Sequence, residues 1–174
     1  MNVSIPPEIN PRLFRRVMGR FASGVTVITA EDAGESRGMT ASAFMSGSLA
    51  PPLCVVSVAK RARMHALLQR SRFIGVSILA EGQETLSEHF AGRPVPGLLP
   101  AFVRIGPAPL LADASARIAA EIEARHDCGD HTLIVAHILH MDCDDRPPLL
   151  YHAGRYAELA EHAGGQDAPV PAFW

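Results

Sequence analysis

The stretch GMTASAFMSGSLAPPLCVVSVAKRARMH, residues 38–65, combines the features from which we predict the fold and the site. It begins with small and hydroxylated residues, passes through two consecutive prolines and becomes the apolar run LCVVSVA. Three cations follow this run: Lys60, Arg61 and Arg63. The run predicts a buried strand over 53–59, because β-branched residues suit a packed, pleated surface. A small, polar segment of backbone is thus expected beside a strand, with positive charge a few residues later.

Further strands are predicted on both sides of this stretch, where apolar residues alternate or run together. The clearest are VTVITA at 25–30, RFIGVSIL at 72–79 and HTLIVAHILHMD at 131–142. Segment 115–126 alternates apolar and polar residues, which favours a strand, although the same composition also suits a helix. The strands do not alternate regularly with helices, which argues against a doubly wound parallel sheet. A mostly antiparallel barrel with peripheral helices fits this order better.

Three short helices are predicted around these strands. The first begins at Pro11, behind the capping residue Asn10, and runs to about Ala22. Its apolar face carries Leu13, Val17, Met18 and Phe21. The other two helices cover 61–71 and 83–91, and the second of these precedes a loop rich in proline and glycine.

The composition restricts the class of protein. The chain has 174 residues, 48% of them apolar and 20% charged, and a net charge of −2, which is typical of a globular domain. Neither half is strongly basic, so we expect neither nucleic acid nor a membrane as partner. The three cysteines lack paired spacing, and no signal-peptide core is present at the N-terminus. These features predict reduced thiols and a cytoplasmic location.

Familiar catalytic motifs are missing. The sequence contains neither a dinucleotide-binding G-x-G-x-x-G after a strand nor a P-loop, and neither G-x-S-x-G nor H-E-x-x-H. His126 and Cys128 share one face of a predicted strand, and His131 follows the next turn. A tetrahedral zinc site needs a more convergent set of ligands. We therefore expect no metal.

The segment 40–43, Thr-Ala-Ser-Ala, predicts a binding surface for a flat heteroaromatic ring. Its small side chains allow such a ring to approach the main-chain N–H and C=O groups closely. Donor side chains for a phosphate follow after the next strand: Ser57, Lys60, Arg61 and Arg63. On the pattern alone, an ordinary hairpin followed by an amphipathic helix with solvated cations is the favoured interpretation of these residues.

A second cluster is the turn Gly129-Asp130 followed by His131 at the start of a strand. A histidine in this position can donate to a ligand or exchange a proton at neutral pH. The alternative is a surface histidine in a turn. Phe90 is most simply a core residue, and Tyr156 belongs to a closing strand and turn.

Several blocks, in order, resemble one family. They are FRRVMGRFASGVTVITA, the stretch from GMTASAF to HALL, FIGVSIL with LSEHFAG, CGDHTLIVAHI and PPLLYHAGRYAEL. Together they extend from about Phe14 to Leu159 and resemble the short-chain flavin reductases. The resemblance implies an FMN-binding split barrel, an antiparallel Greek-key β-barrel with short peripheral helices in the mainly β, α+β class. It implies one domain over 1–160, and the tail 161–174 is expected to be mobile.

The resemblance also implies an activity and its partners. Members of the family reduce FMN or FAD with NADH or NADPH, commonly as the reductase component of a two-component, flavin-dependent monooxygenase. They are usually homodimers. A pyridoxamine-phosphate-oxidase-like enzyme with tightly held FMN, or a non-enzymatic flavin- or haem-binding module, is the alternative.

The site residues follow from the resemblance by position. The isoalloxazine edge is expected to meet Thr40, Ala41, Ser42 and Ala43. The phosphate end is expected at Ser57, Val58 and Lys60, with Arg63 as an addition. The nicotinamide side is expected to involve Phe90 and His131, and Tyr156 is expected close to the pocket. His131 is the candidate catalytic residue.

Overall fold

The computed structural model describes residues 9–160. Strands account for 51% and helices for 15% of these residues, and the sheets are antiparallel. The mainly β fold class predicted from the sequence is therefore confirmed. The predicted tail at 161–174 lies outside the described residues. Within the described part, no helix is both long enough and apolar enough to cross a lipid bilayer.

Strands and helices follow one another in an irregular order. The strands are β1 (Ser23–Gly24), β2 (Thr26–Asp32), β3 (Glu35–Ala41), β4 (Phe44–Leu49), β5 (Pro52–Ala59), β6 (Phe73–Ile78), β7 (Phe102–Ile105), β8 (Ala108–Leu111), β9 (Ala116–Cys128), β10 (His131–Cys143), β11 (Leu150–His152) and β12 (Arg155–Ala157). The helices are α1 (Pro11–Met18), α2 (Arg63–Arg70) and α3 (Glu84–Phe90).

A seven-stranded antiparallel sheet forms the body of the molecule, in the order β3-β2-β6-β9-β10-β5-β4. Its two edge strands, β3 and β4, are consecutive in the chain but do not pair with each other. Only the two residues Ser42 and Ala43 connect them, so the sheet must curl to bring its edges close together. The result is a barrel-like sheet that remains open between β3 and β4.

The main core lies inside this curled sheet. Ile28, Ile74, Val58 and Ile134 contribute fully buried side chains from β2, β6, β5 and β10. Helix α2 covers one opening of the sheet and adds Met64, Leu67 and Leu68 to the same cluster. Burial of this apolar surface is the main driving force for the fold.

Two small sheets accompany the large one. One has the order β1-β11-β12 and the other is the β7–β8 hairpin. The hairpin packs closely on β6, because Gly75 has no side chain at the contact: an added Cβ there would lie 2.6 Å from the Pro109 carbonyl oxygen. Thr29 on β2 donates a hydrogen bond to the same carbonyl.

Segment 115–126, where the alternating pattern favours a strand and the composition also suits a helix, is part of strand β9. The structure differs from the sequence-based expectation at other elements. Strands β3 and β4 were not assigned, because their small and polar residues show little apolar alternation. Helix α1 ends at Met18 rather than Ala22, and it buries none of its residues. Its predicted apolar face is exposed at all four positions: Leu13, Val17, Met18 and Phe21.

Candidate functional site

The segment Thr40–Ala43 lies at the end of edge strand β3, where the chain crosses to β4. Part of its hydrogen-bonding capacity is used internally: the Ala41 carbonyl accepts from Thr26 Oγ1 at 2.7 Å, and the Ala43 carbonyl accepts from the Ser57 amide at 3.0 Å. The Ser42 side chain is exposed and has no hydrogen-bond partner between residues 9 and 160. Because β3 pairs only with β2, its outer edge is unpaired within the described sheet and remains available to a ligand.

Thr40 belongs to a polar network with helix α3. Its hydroxyl donates to the Ser87 carbonyl at 2.6 Å, and Tyr156 donates to Ser87 Oγ at 2.9 Å. Ser87 itself is 1% exposed. Since the Thr40 proton is committed to Ser87, the hydroxyl oxygen can only accept from a ligand. The network also ties α3 and β12 to the end of β3.

Two adjoining cavities lie on either side of Thr40. A cavity of about 520 Å³ includes Thr40, Ser42, Ser87, Tyr151 and Tyr156 in its lining. A cavity of about 660 Å³ shares Thr40 and Ala91 with it, and its lining also includes Arg63 and Phe90. Each volume falls in the range typical of small-molecule sites, roughly 300–1,000 Å³. We call the two together the Thr40 cleft.

Phe90 forms an apolar wall of the larger cavity. Its ring lies directly against Gly38 of β3, where an added Cβ would be 2.6 Å from Phe90 Cε1. It also makes edge-to-face contacts with His89 and with Phe102, at centroid separations of 5.1 and 6.2 Å. Because Gly38 has no side chain, the Phe90 ring can pack directly against the backbone of β3.

A separate polar group lies where β5 ends beside the β9–β10 turn. His131 is opposite Ala59 in the ladder, and the Lys60 amide donates to the Asp130 carbonyl at 2.9 Å. Lys60 Nζ is 3.2 Å from Asp127 Oδ1, and His131 Nδ1 is 2.7 Å from Asp130 Oδ1. Lys60 thus has an acidic neighbour at the end of β9, and His131 has one on the turn.

The hydrogen bond from the His131 ring, with its charge when protonated, holds the pKa of the Asp130 carboxyl below its usual range.

In the core, desolvation raises the pKa of the Cys54 thiol to about 11. Cys54 is therefore a protonated, unreactive thiol at neutral pH. Between residues 9 and 160, no three His, Cys, Asp or Glu side chains are grouped as a metal site.

The Thr40 cleft brings together five of the predicted residues: Thr40, Ser42, Arg63, Phe90 and Tyr156. The side chains of Ala41 and Val58 face the core, so only their main chains are available to a ligand. The remaining four predicted residues line neither cavity: Ala43, Ser57, Lys60 and His131.

Sequence reasoning missed two residues that shape the cleft. Ser87 occupies a buried position of α3, one turn before Phe90, and a serine there signals a buried hydrogen bond. Gly38 belongs to the stretch of small residues, but its local sequence does not indicate its contact with the Phe90 ring. Neither contact is local in sequence, so only the fold reveals the partner.

Comparison with known proteins identifies the family. The family model described as "Flavin reductase like domain" matches residues 18–160. An NADH-dependent flavin reductase of a Rhodococcus species is 40% identical over 168 residues, covering 95% of this chain and 94% of its own. The reductase component of 4-hydroxyphenylacetate 3-monooxygenase from Thermus thermophilus is 40% identical over 147 residues, 84% of this chain and 95% of its own.

A solved structure shows the same architecture. The Streptomyces globisporus NADH:FAD oxidoreductase SgcE6, in complex with NAD and FAD fragments, superposes with a TM-score of 0.82 at 36% identity. The match covers 88% of this chain and 96% of that one. With the antiparallel sheet, the Thr40 cleft and the family match over residues 18–160, the chain belongs to the flavin reductase like family.

Proposed function

We propose that this protein reduces FMN or FAD with NADH or NADPH and supplies the reduced flavin to a flavin-dependent monooxygenase. The observation that carries the proposal is the Thr40 cleft beside the unpaired edge of β3, in a chain of this family. NADH is the reductant named for its Rhodococcus relative, and FAD is named for the Streptomyces protein. The Thermus relative is named as a monooxygenase component, which supports the partner.

The residues of the cleft fit an isoalloxazine ring. The edge of this ring carries both a hydrogen-bond donor and several acceptors. The Thr40 hydroxyl oxygen can accept from the ring, and the unpaired Ser42 hydroxyl can donate to it. Phe90 supplies an apolar surface on the other side of Thr40. The site thus offers polar groups at the rim and an apolar wall, as ligand sites commonly do.

The chemistry that the bound pair supplies is hydride transfer from the nicotinamide to the flavin ring. The chain does not need a nucleophile for this step. Its task is to stack the two rings, to exclude water and to stabilise the negative charge that develops on the flavin edge. Hydrogen-bond donors held in position near Ser42 can stabilise this negative charge, because they need not reorient as the charge develops.

The flavin phosphate is assigned to Arg63 first and to Lys60 second. Arg63 lines the larger cavity and has no carboxylate partner between residues 9 and 160, whereas Lys60 is held by Asp127 outside it. We expect Arg63→Gln to raise the KM for FMN about tenfold and the KM for riboflavin less than twofold, because riboflavin lacks the phosphate. Lys60→Ala is expected to show the same selectivity with a smaller increase. Equal losses for FMN and riboflavin would contradict the assignment.

His131 is proposed to orient the nicotinamide carboxamide or to screen the reduced flavin. Its side chain is 41% exposed, and the residue lies opposite Ala59 in the ladder, outside the two cavities of the Thr40 cleft. His131→Ala should then change the KM for NADH or the rate of hydride transfer in stopped-flow measurements. An unchanged rate and affinity would remove His131 from the mechanism.

The activity itself is tested by mixing the purified protein with NADH and excess FMN, FAD or riboflavin and following NADH oxidation. Turnover proportional to added flavin supports a reductase that releases its product. Flavin that copurifies and stays bound, with NADH left unoxidised, would support the pyridoxamine-phosphate-oxidase-like or non-enzymatic alternative and reject the proposal.

We further propose a homodimer in the cytoplasm. The exposed apolar residues on and just beyond α1 (Leu13, Val17, Met18 and Phe21), with Met141 of β10 at 71% exposed, offer surface for a second copy. Two exposed cysteines, Cys128 and Cys143, are consistent with a reducing compartment. Sedimentation equilibrium of the purified chain tests the dimer, and a mass of one chain at micromolar concentration would contradict it.

A further inference from the structure

A third cavity adjoins the Thr40 cleft and is lined by arginine side chains. Its volume is about 410 Å³, and its lining consists of Arg15, Arg16, Arg20, Ala153 and Gly154. Gly154 also lines the cavity that contains Thr40 and Ser42. The two spaces are therefore neighbours, divided by the turn between β11 and β12. We call the third space the arginine cavity.

The turn Ala153-Gly154, which divides the two cavities, is anchored to the end of helix α1. The Ala153 amide donates to the Gly19 carbonyl at the end of α1, at 2.8 Å. Ala153 and Gly154 have φ angles of 50° and 84°, a left-handed pair that closes a tight hairpin and that alanine seldom adopts. Because the turn is anchored to α1, the arginines of α1 keep a fixed position relative to the Thr40 cleft.

The arginine cavity carries positive charge that no carboxylate of residues 9–160 pairs with. Between residues 9 and 160, neither Arg15, Arg16 nor Arg20 forms an ion pair with a carboxylate. Two further arginines, Arg93 and Arg155, line the neighbouring cavity. Among the described residues of that lining, Glu88 is the one carboxylate, and its Oε1 lies 3.8 Å from Arg93 Nη1. In a chain with a net charge of −2, this is a local concentration of cations.

Two substrates must stack their rings in the proposed reaction, and each carries an anionic tail. Repulsion between the tails favours binding modes in which they leave the rings in different directions. Arg63 lies in the cavity on one side of Thr40, and the arginine cavity adjoins the cavity on the other side. The arrangement thus provides one cationic region for each tail.

We propose that Arg15, Arg16 and Arg20 bind the pyrophosphate of a dinucleotide whose ring end lies in the Thr40 cleft. The inference rests on the proposed function and adds to it a second anion site. Guanidinium groups pair with phosphate oxygens through two parallel hydrogen bonds, which suits this role better than a single ammonium does. The pyrophosphate is common to NADH, NADPH and FAD but absent from FMN.

The test is calorimetric titration of the full-length protein with ADP, which contains the pyrophosphate and no redox-active ring. The triple variant Arg15→Gln/Arg16→Gln/Arg20→Gln should bind ADP at least about tenfold more weakly than the natural protein. Arg12→Gln is the matched control, because Arg12 is an exposed arginine of the same helix that does not line the cavity. Its ADP affinity should stay within twofold.

Steady-state kinetics of the same variants distinguish the source of the pyrophosphate. A higher KM for NADH with FMN as acceptor assigns the cavity to the pyridine nucleotide. A higher KM for FAD, with those for FMN and NADH unchanged, assigns it to the flavin. If the triple variant does not fold, as judged by circular dichroism, Arg16→Gln and Arg20→Gln are titrated singly, with about threefold losses expected.

The inference is overturned if the natural protein does not bind ADP, or if the triple variant binds it within twofold of the natural protein. ADP binding does not depend on turnover. A protein that binds ADP through these arginines but does not oxidise NADH with any flavin would therefore reject the proposed function and leave the anion site standing.

Discussion

Helices α1 and α2 are both eight residues long and both amphipathic, yet they relate to the core in opposite ways. Helix α2 buries Met64, Leu67 and Leu68 in the main core. Helix α1 buries no residue, and Val17 on its apolar face is 58% exposed. An amphipathic pattern thus predicts which face of a helix needs cover, but not which surface provides the cover.

The two helices also differ in how their ends are stabilised, and here α1 has the stronger local interactions. Asn10 Oδ1 caps α1 by accepting from the Arg12 amide at 2.8 Å, and Pro11 occupies the first turn. The capping residue of α2 is Ala62, which has no side-chain cap. Arg70 at the end of α2 instead pairs with Asp32 and Glu35. Helix α1 is supported by its own sequence, whereas α2 is supported by the fold around it.

The largest difference is expected from side-chain truncation. Leu68→Ala should lower the free energy of unfolding by about 2–5 kcal/mol, because it leaves a cavity in a fully packed core. Val17→Ala on α1 should change it by less than about 0.5 kcal/mol in the monomer. Urea denaturation followed by circular dichroism measures both. A similar loss of unfolding free energy in the two variants would show that α1 and α2 do not differ in their contribution to the core.

The second effect concerns association. If the apolar face of α1 is covered by a second copy, Val17→Asp should raise the dimer dissociation constant at least about tenfold, roughly 1.4 kcal/mol, because it places a charge in an apolar contact. Leu99→Asp is the control, since Leu99 is 90% exposed in a loop. Analytical ultracentrifugation should show dissociation for Val17→Asp alone. A parallel shift in both variants would argue against the α1 face.

The third effect is local. Asn10→Ala should destabilise α1 by about 1 kcal/mol, since the first-turn amides lose their acceptor. Hydrogen exchange should accelerate in α1 and stay unchanged in α2. Asn10→Asp keeps an acceptor oxygen and should preserve protection. Uniform acceleration across both helices would mean that α1 unfolds together with the core.

The smallest effect is expected from the ion pairs at the end of α2. Arg37, followed by Arg70, holds the pKa of Glu35 below its usual 4.5. A lowered pKa means that the ionised form is favoured in the folded state, so its stabilisation is present above pH 4.5 and disappears as the pH falls through the lowered value. Glu35→Gln should therefore be slightly less stable than the natural protein at pH 7, and the gap should close in acid.

Urea midpoints at a series of pH values between 7 and 3 measure this gap. Glu81→Gln is the matched control, because Glu81 is exposed and forms no ion pair between residues 9 and 160. The urea midpoints of Glu81→Gln and of the natural protein should be nearly the same at every pH in the series. A gap for Glu35→Gln that widens as the pH falls would contradict the assigned direction of the pKa.

Local patterns predicted much of the fold. The apolar runs at β5, β6 and β10 are located within a residue or two, because runs of apolar and β-branched residues leave a strong signal. Strand β3, with sequence ESRGMTA, was not assigned, since an edge strand with one solvated face needs few apolar residues. The hairpin β7–β8 was missed as well, because its two strands are short.

The candidate site was predicted in part. Thr40 and Ser42 were identified from their small, hydroxylated context and from the family resemblance, and both line the cleft. The role of Ser87 was not predicted, because its partners Thr40 and Tyr156 come from distant parts of the chain. The arginines of α1 carry no recognisable signal in the sequence, because only the fold places them beside Gly154.

The contact between Gly38 and Phe90 constrains how related proteins can vary. A methyl group at position 38 would overlap the ring at position 90, so the two positions are complementary in size. We expect them to co-vary: a chain with a larger residue at the first should carry a smaller one at the second. The width of the Thr40 cleft then depends on both residues together, and changing either one alone should narrow or distort the cleft.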